Sequence, residues 1–226
     1  MADLTRTFAT DEDVAIRAQS DFGLICPTDQ VLCNGTGASF EPSNRWRLIA
    51  PTMAFAAQGV CRGHVVHLLQ PAELFGPTGA WLAVEAAGDG WLHLRQIGGI
   101  LNAGMPPGPE QGASGVAFKI QTLDPQIDLV NRDLDRLFGI NEASIGRSRG
   151  DLRSVSDLTD IAVLMLLVKQ YRACASSDTS EDAFVAKALQ CQQDLSDALA
   201  RFTLDWRPGD GRPFDAITRF DTRISR

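Results

Sequence analysis

Three histidines limit the metal and acid–base chemistry that this sequence can support. Cys61, His64 and His67 have the identities of metal ligands, and each lies three positions from the next. Side chains alternate between the two faces of a β-strand, so this spacing puts His64 and His67 on opposite faces. His93, in a later segment, adds one ligand at most. Zinc sites of this kind use closer pairs, so we expect no bound metal and interpret the histidines as surface and edge residues of a small β module.

The five cysteines do not indicate a nucleophile. A catalytic thiolate needs a base within hydrogen-bond reach and an electropositive setting. No histidine is near Cys26 or Cys33 in sequence. Cys174 and Cys191 lie on apolar helical stripes, where cysteine behaves as a small hydrophobe. The cysteine count is odd, no CxxC pair occurs and no secretory signal precedes the cysteines, so we expect synthesis in a reducing cytoplasm.

The remaining motifs also have structural interpretations. Gly35-Thr36-Gly37 lacks the Lys-Ser/Thr of a phosphate loop and the third glycine of a dinucleotide site, so it predicts a turn. The acidic pairs Glu12-Asp13 and Glu181-Asp182 occupy the first turns of predicted helices, where carboxylates stabilise the helix dipole. We therefore predict no catalytic residue, no cofactor and a protein that is not an enzyme.

The net charge of −7 does not favour a DNA-binding surface, because phosphate binding depends on clustered lysine and arginine. One basic cluster occurs, formed by Arg147, Arg149 and Arg153 in a loop between predicted helices. The acidity of the rest of the chain favours contact of this cluster with acidic groups of a neighbouring subunit rather than with DNA. The longest apolar run, Ile161 to Val168, is eight residues, whereas a membrane span needs about 20.

The N-terminal half changes from helical to strand periodicity. Thr10 and the acids after it predict a helix start, and residues 21 to 44 read as loop. Strand-like alternation begins near residue 45, and Asp89-Gly90 predicts a hairpin whose arms are residues 81–86 and 91–96. Residues 98 to 115 carry a glycine and proline density that predicts a long loop, before a last strand near residue 118.

Three helices are predicted in the C-terminal half. Asp124-Pro125 begins the first of them and Gly139 closes it. The second begins near Ser156 and is apolar around nearly its whole circumference, which is typical of the centre of a bundle or of a subunit interface. The third begins after residue 182, and its predicted apolar stripe is Phe184, Ala188, Cys191, Leu195, Ala198 and Phe202. The predicted apolar stripe of the first helix is Ile127, Val130, Leu134 and Leu137; the interface candidates on the second are Leu164 and Leu167.

These elements predict an α+β fold: a small helical bundle with an inserted β-barrel-like module and an extended C-terminal tail. We divide the chain into an N-terminal helix and loop segment (1–44), a β-rich module (45–121), a helical bundle domain (122–206) and the tail (207–226). The tail has too little apolar content to fold alone, and we expect it to dock on a partner. Its candidate docking residues are Phe214, Ile217, Phe220 and Arg223.

The layout of residues 55 to 206 resembles the head–tail connector (neck or adaptor) proteins of tailed bacteriophages. Three segments carry most of this resemblance: residues 156–161, the apolar helix that ends at residues 169–171, and the long helix from Ala183 into residues 203–206. Residues 58–66, 82–85 and 92–95 are similar to β modules of phage structural proteins. The β insertion is larger than in minimal connectors.

The resemblance implies a structural virion protein that forms a closed dodecameric ring. Such a ring would dock on the portal on one side and on tail or neck proteins on the other, with DNA passing through without specific binding. It also implies that the C-terminal tail reaches along the portal. The alternatives are another neck or tail-terminator component, a non-viral bacterial scaffold protein and, as a third class, a small hydrolase.

Overall fold

A computed structural model describes residues 7–98, 112–140, 149, 156–176 and 182–203. The chain forms two compact units. The described residues of the first unit are 10–98 and 112–124, and those of the second are 7–9, 125–140, 149, 156–176 and 182–203. The predicted combination of helices and strands is confirmed. Residues 10–44, assigned above to a separate segment, lie in the same unit as the strands.

The first unit contains three helices and five strands in its described residues. The helices are α1 (Asp11–Ala18), α2 (Phe22–Ile25) and α3 (Ala72–Phe75). The strands are β1 (Val31–Glu41), β2 (Asn44–Ala54), β3 (Val65–Gln70), β4 (Ala80–Arg95) and β5 (Val116–Gln121). All pairings are antiparallel, and the order β1-β2-β4-β3-β5 returns to β1 because β5 also pairs with β1. Every strand therefore has two hydrogen-bonded neighbours.

Alternating side chains of these strands form the core of the first unit. Leu48 of β2 lies opposite Leu92 of β4, and both are fully buried. Phe118 of β5 and Phe55 pack with their ring centroids 5.7 Å apart. This core fixes one register for each strand, because a slip of one residue would turn every apolar side chain outward.

The predicted hairpin at Asp89-Gly90 is wrong. Residues 80–95 form the single strand β4, whose first half pairs with β3 (Val65 opposite Ala83) and whose second half pairs with β2. A type I′ hairpin turn needs positive φ at both central residues. Here Gly90 has φ +77°, but Asp89 does not have a positive φ. Gly90 therefore lies within the part of β4 that pairs with β2, at the point where the register between these strands shifts.

The predicted loop over residues 21–44 is also wrong, because it contains α2 and β1. The glycines that suggested a turn serve the strand instead. The register of β1 against β5 shifts between Gly35 and Ala38, and Gly37 has φ +78°, as at a β-bulge. A Cβ on Gly35 would lie 2.9 Å from the Phe118 ring, so this glycine permits close approach of β1 and β5.

The second unit contains α4 (Asp124–Phe138), α5 (Ser156–Cys174) and α6 (Ala183–Arg201); α4 begins at Asp124, the last residue of the first unit. Gly139 ends α4 with φ +66°, as predicted. The predicted stripe of α4 is wrong at one position: Leu137 is 49% exposed and the neighbouring Phe138 is buried. Phe138 instead packs on Phe202, with ring centroids 5.1 Å apart.

The helix α5 packs against α6 and is buried on several faces. Its nine buried residues do not fall on one stripe, as expected for a helix that is apolar all round. None of the helices among the described residues has the length and apolarity needed to cross a membrane.

Candidate functional site

Asp11, His64 and Asp124 form a cluster of titratable side chains within the first unit. Asp11 is the first residue of α1, His64 immediately precedes β3, and Asp124 is the first residue of α4. One ligand atom from each residue lies within 4.8 Å of the others. Asp11 is 0% and His64 is 3% exposed, whereas the Asp124 side chain is 54% exposed. The cluster therefore has a buried end and an end that contacts solvent.

Asp11 holds the buried end. Its Oδ1 accepts a hydrogen bond from the Leu123 backbone N–H at 2.8 Å, while its Oδ2 is buried without a partner. Burial raises the pKa of Asp11 to about 7; the negative charge of Asp124 adds to the rise, and His64 opposes it. A carboxyl in this position is therefore protonated in part at neutral pH.

His64 lies between the two carboxylates. Its Nε2 is 2.9 Å from Asp124 Oδ2, and the Cys61 backbone N–H donates to its Nδ1 at 3.2 Å. Because Nδ1 accepts that bond, it has a lone pair, and the ring proton lies on Nε2, where it is donated to Asp124. Burial lowers the pKa of His64, but its hydrogen bonds and the charges of both carboxylates outweigh burial and raise it to about 10. Protonation of Nδ1 requires the Cys61 N–H to turn away, so the cationic ring and the observed contact exclude each other.

The cluster has the ligand types of a metal site, but its outer contacts do not fit one. A metal at Nε2 needs the ring proton on Nδ1, and metal-bound histidine ordinarily donates that proton to a carboxylate or carbonyl oxygen. Here Nδ1 faces the N–H donor of Cys61. The contact at Nδ1 therefore differs from that of a metal-bound histidine.

Cys61 approaches the same histidine without forming a catalytic triad. Its Sγ lies 3.8 Å from His64 Nε2, the nitrogen that also contacts Asp124. In a nucleophile–histidine–carboxylate triad the nucleophile and the carboxylate occupy opposite ring nitrogens, so that the base is oriented by one and acts on the other. Both groups share Nε2 here, and this geometry does not activate the thiol.

The other two histidines are elsewhere in the sheet. The ring of His67 stacks on Trp81 at 3.9 Å, and its Nε2 lies 2.9 Å from the Thr78 carbonyl oxygen. His93 contacts the Glu85 carboxylate at 2.8 Å. The structure therefore does not bring His67 or His93 to His64. The interpretation of the histidines as surface and edge residues is wrong for His64, which is 3% exposed and precedes β3 instead of lying on it.

The interface candidates of α5 lie in the interior of the chain. Leu164 is 2% and Leu167 is 1% exposed, so neither is available to another subunit in this conformation. The sequence left two positions open for this helix, the centre of a bundle or a subunit interface. The burial of both leucines in the described residues fits the interior of the unit. The prediction that these two leucines form a subunit interface is corrected accordingly.

Arg149 is likewise satisfied within its own unit. Its Nε donates to Asp135 Oδ1 at 2.9 Å, its Nη2 donates to the other carboxylate oxygen, and its guanidinium lies 4.5 Å from the Phe8 ring centroid. This two-point contact fixes residue 149 against α4 instead of leaving it for acidic groups of a neighbour. The other candidates, Arg147, Phe214, Ile217, Phe220 and Arg223, lie outside the described residues.

The long helix α6 has an apolar stripe that the described part of the chain covers only in part. Of its 19 residues only Ala188 is buried, whereas α5, of equal length, has nine buried residues. Phe184 stacks on Tyr171 of α5 with ring centroids 6.1 Å apart, but it is only half-buried. Leu189 is 53% exposed and lies off this stripe, about 140° around the helix from Phe184. Sequence reasoning identified the stripe but not its incomplete cover.

Two basic groups of β2 and β4 lie close to acids. Arg47 lies 3.7 Å from Glu41 and 4.9 Å from the Trp91 ring centroid. Arg95 pairs with Glu12 of α1. Cations that already contact carboxylates add little to phosphate binding. Comparison of the chain with protein-family models, curated proteins and solved structures returns no match.

Proposed function

We propose that this chain is a structural assembly protein without an active site, and that it forms a ring connecting the portal of a tailed-phage capsid to the tail. The identification of the phage connector rests on the resemblance of residues 55 to 206. The ring would be built from copies of this chain, with portal and tail proteins as its other partners and DNA passing through the channel. Its location would be the virion.

The incomplete cover of α6 is the observation that carries the proposal. A 19-residue amphipathic helix with one buried residue leaves apolar area in water, and such area is ordinarily covered by a partner. A closed ring requires two different complementary faces on each copy. We assign the exposed face of α6 that carries Leu189 to the contact with the next copy.

Two further features support an assembly role over catalysis. The Asp11–His64–Asp124 cluster lacks the nitrogen assignment of a nucleophile triad and the outer contacts of a metal site. Arg47 and Arg95 of the sheet are paired with acids, and the net charge is −7. A channel that lets DNA pass must not hold it tightly, and an acidic protein meets that requirement.

The finer fold assignment belongs to this proposal. The closed strand order suggests a β-barrel-like module, and the packing of α5 on α6 suggests the start of a helical bundle. In the proposed ring, the helical unit would make the subunit contacts and the sheet unit would stand as an insertion.

The test is assembly of the full-length chain with purified portal rings, observed by negative-stain electron microscopy and native mass spectrometry. We expect wild-type protein to add a second ring to the portal. Leu189→Asp places a charge on the proposed contact and should abolish that ring. Removal of a half-exposed leucine from an interface costs about 2 kcal/mol at 25 cal/mol per Å², which weakens each contact by about 30-fold.

Leu129→Asp is the matched control. Leu129 lies on α4 and is 52% exposed, against 53% for Leu189, so both substitutions disturb folding to a similar extent. The control should assemble as the wild type does. Normal rings from Leu189→Asp would remove α6 from the interface, and a wild-type chain that binds neither portal nor tail proteins would refute the connector function and leave a non-viral scaffold.

A further inference from the structure

Within the described residues the chain crosses between its two units twice, and the titratable cluster lies beside both of these crossings. The first crossing runs from Ala9 to Thr10, and the second runs from Asp124 to Pro125. Asp11 follows the first crossing by one residue, and Asp124 is the last residue before the second. Residues that are distant in sequence are therefore concentrated where the first unit is entered and left.

Hydrogen bonds fasten both crossings to the same turn of the first unit. Asp11 Oδ1 accepts a hydrogen bond from the Leu123 N–H at 2.8 Å, so residues beside the two crossings are joined directly. His64 holds Asp124 at 2.9 Å. The Glu12 backbone N–H donates to the Gly63 carbonyl oxygen at 2.8 Å, which ties α1 to the turn that carries His64. The cluster thus fixes the positions at which both connecting segments leave the sheet.

We propose that Asp11, His64 and Asp124 form a proton-dependent clamp on these two crossings. The cluster has the same charge when Asp11 is protonated and His64 neutral as when Asp11 is ionised and His64 cationic. In the first form the Cys61 N–H binds His64 Nδ1, as observed. Each form holds one proton, on Asp11 or on His64. This proton prevents the state in which both carboxylates are ionised and the His64 ring is neutral.

Loss of that proton opens the clamp. It leaves two carboxylates in a cluster within 4.8 Å, one of them fully buried and with an oxygen that has no partner. The nearby charged groups cannot compensate, since Arg95 is already paired with Glu12 and the Cys61 thiol faces the same histidine nitrogen as Asp124. Asp124 is the half-exposed member, so it moves into water and releases the start of α4. This inference does not depend on the connector function.

The experiment is residue-resolved amide hydrogen exchange of the full-length protein by NMR, corrected for the pH dependence of intrinsic exchange. The Leu123 amide reports the clamp directly, because it donates to Asp11 Oδ1. The pKa of His64 is raised to about 10, so the cluster loses its last proton near that pH. We expect the protection of Leu123 in the wild type to fall by at least about tenfold between about pH 8 and about pH 11. Asp11→Asn keeps an acceptor oxygen and cannot ionise, so its Leu123 protection should not change with pH.

Asp128→Asn is the control, because it neutralises an exposed carboxylate of α4 outside the cluster and should behave as the wild type does. A second readout needs no variant: the ¹⁵N shifts of the wild-type His64 ring should show a lone pair on Nδ1 when the ring is neutral. Protection of Leu123 that is independent of pH in the wild type, or a neutral ring protonated on Nδ1, would overturn the clamp. Stabilisation of the wild type but not of Asp11→Asn by Zn²⁺ or Mn²⁺ would identify a metal site instead.

Discussion

The substitution Asp11→Asn should change how the stability of the first unit depends on pH. The pKa of Asp11 is raised from 3.8 to about 7 by burial, so the folded protein holds a proton that the unfolded chain releases. A raised pKa contributes stability that is complete below the unfolded value and is lost as pH rises through the folded value. Asparagine does not titrate, so the variant lacks this pH-dependent contribution to stability. The wild type should therefore lose stability relative to the variant between about pH 4 and about pH 8.

The size of the loss follows from the same two values. The difference between 3.8 and about 7 is about 3 pKa units, and each unit corresponds to 1.36 kcal/mol, so the upper bound is about 4 kcal/mol. Two other groups set the rest of the curve. The pKa of His64 is raised, so its contribution is lost above pH 6.5 and has the same sign. Burial raises the pKa of Asp124, but its hydrogen bond to His64 and the charge of His64 outweigh burial and lower that pKa. The contribution of Asp124 to stability is therefore complete above pH 3.8 and is lost only as pH falls below that value.

Urea denaturation followed by tryptophan fluorescence measures this difference. The sequence has four tryptophans, of which Trp46, Trp81 and Trp91 lie in the strands of the first unit. A Trp206→Phe background restricts the signal to that unit, so that the two units need not unfold together. A difference curve that is flat or rises between pH 4 and pH 8 would refute the assignment of Asp11 as the buried proton holder.

Three further substitutions test the packing by the same denaturation method. Leu167→Ala should lower the free energy of unfolding by about 2–5 kcal/mol, because it leaves a cavity in the interior; a change near zero would show that Leu167 is not buried in solution. Arg149→Lys should cost about 1–2 kcal/mol, because lysine cannot make the two-point contact with Asp135; an unchanged midpoint would show that the pair is not formed in solution. Gly79→Ala should cost more than about 2 kcal/mol, since φ is +74° and a Cβ would lie 2.4 Å from the Leu68 carbonyl oxygen; wild-type stability would show a different backbone there.

The helix ends were predictable because their signals are local. Thr10 and Asp13 form the reciprocal bonds of a capping box, Asp182 accepts from the Phe184 N–H at the start of α6, and Gly139 ends α4. Each of these depends on a few neighbouring residues. The sequence therefore identified the long helices and the continuous burial of α5.

The sheet was harder to predict, because strand pairing depends on distant partners. An Asp-Gly pair between two apolar runs favours a hairpin locally, but the first half of β4 pairs with β3 and its second half with β2. Likewise, Gly35 and Gly37 read as loop residues until β5 is placed beside β1. The sequence pattern predicts that a strand is present, but it does not predict which strand pairs with it.

The Asp11–His64–Asp124 cluster was missed for a related reason. His64 and Asp124 are 60 positions apart, and Asp11 is 112 positions from the Leu123 amide that it binds. Both acids were correctly interpreted as helix-start residues, which explains their types without the histidine. Acids at two helix starts and one histidine before a strand gave no spacing that predicts a shared site.

The short distance between Asp11 and Leu123 has a consequence for how such a chain can gain or lose a unit by recombination. The sheet unit enters and leaves at adjacent points, so it is an insertion in the polypeptide of the helical unit. A single recombination event could therefore add or remove it without rethreading the helices, and domain insertion is tolerated where the two ends lie together. Related chains could then differ by a whole sheet while keeping α5 and α6.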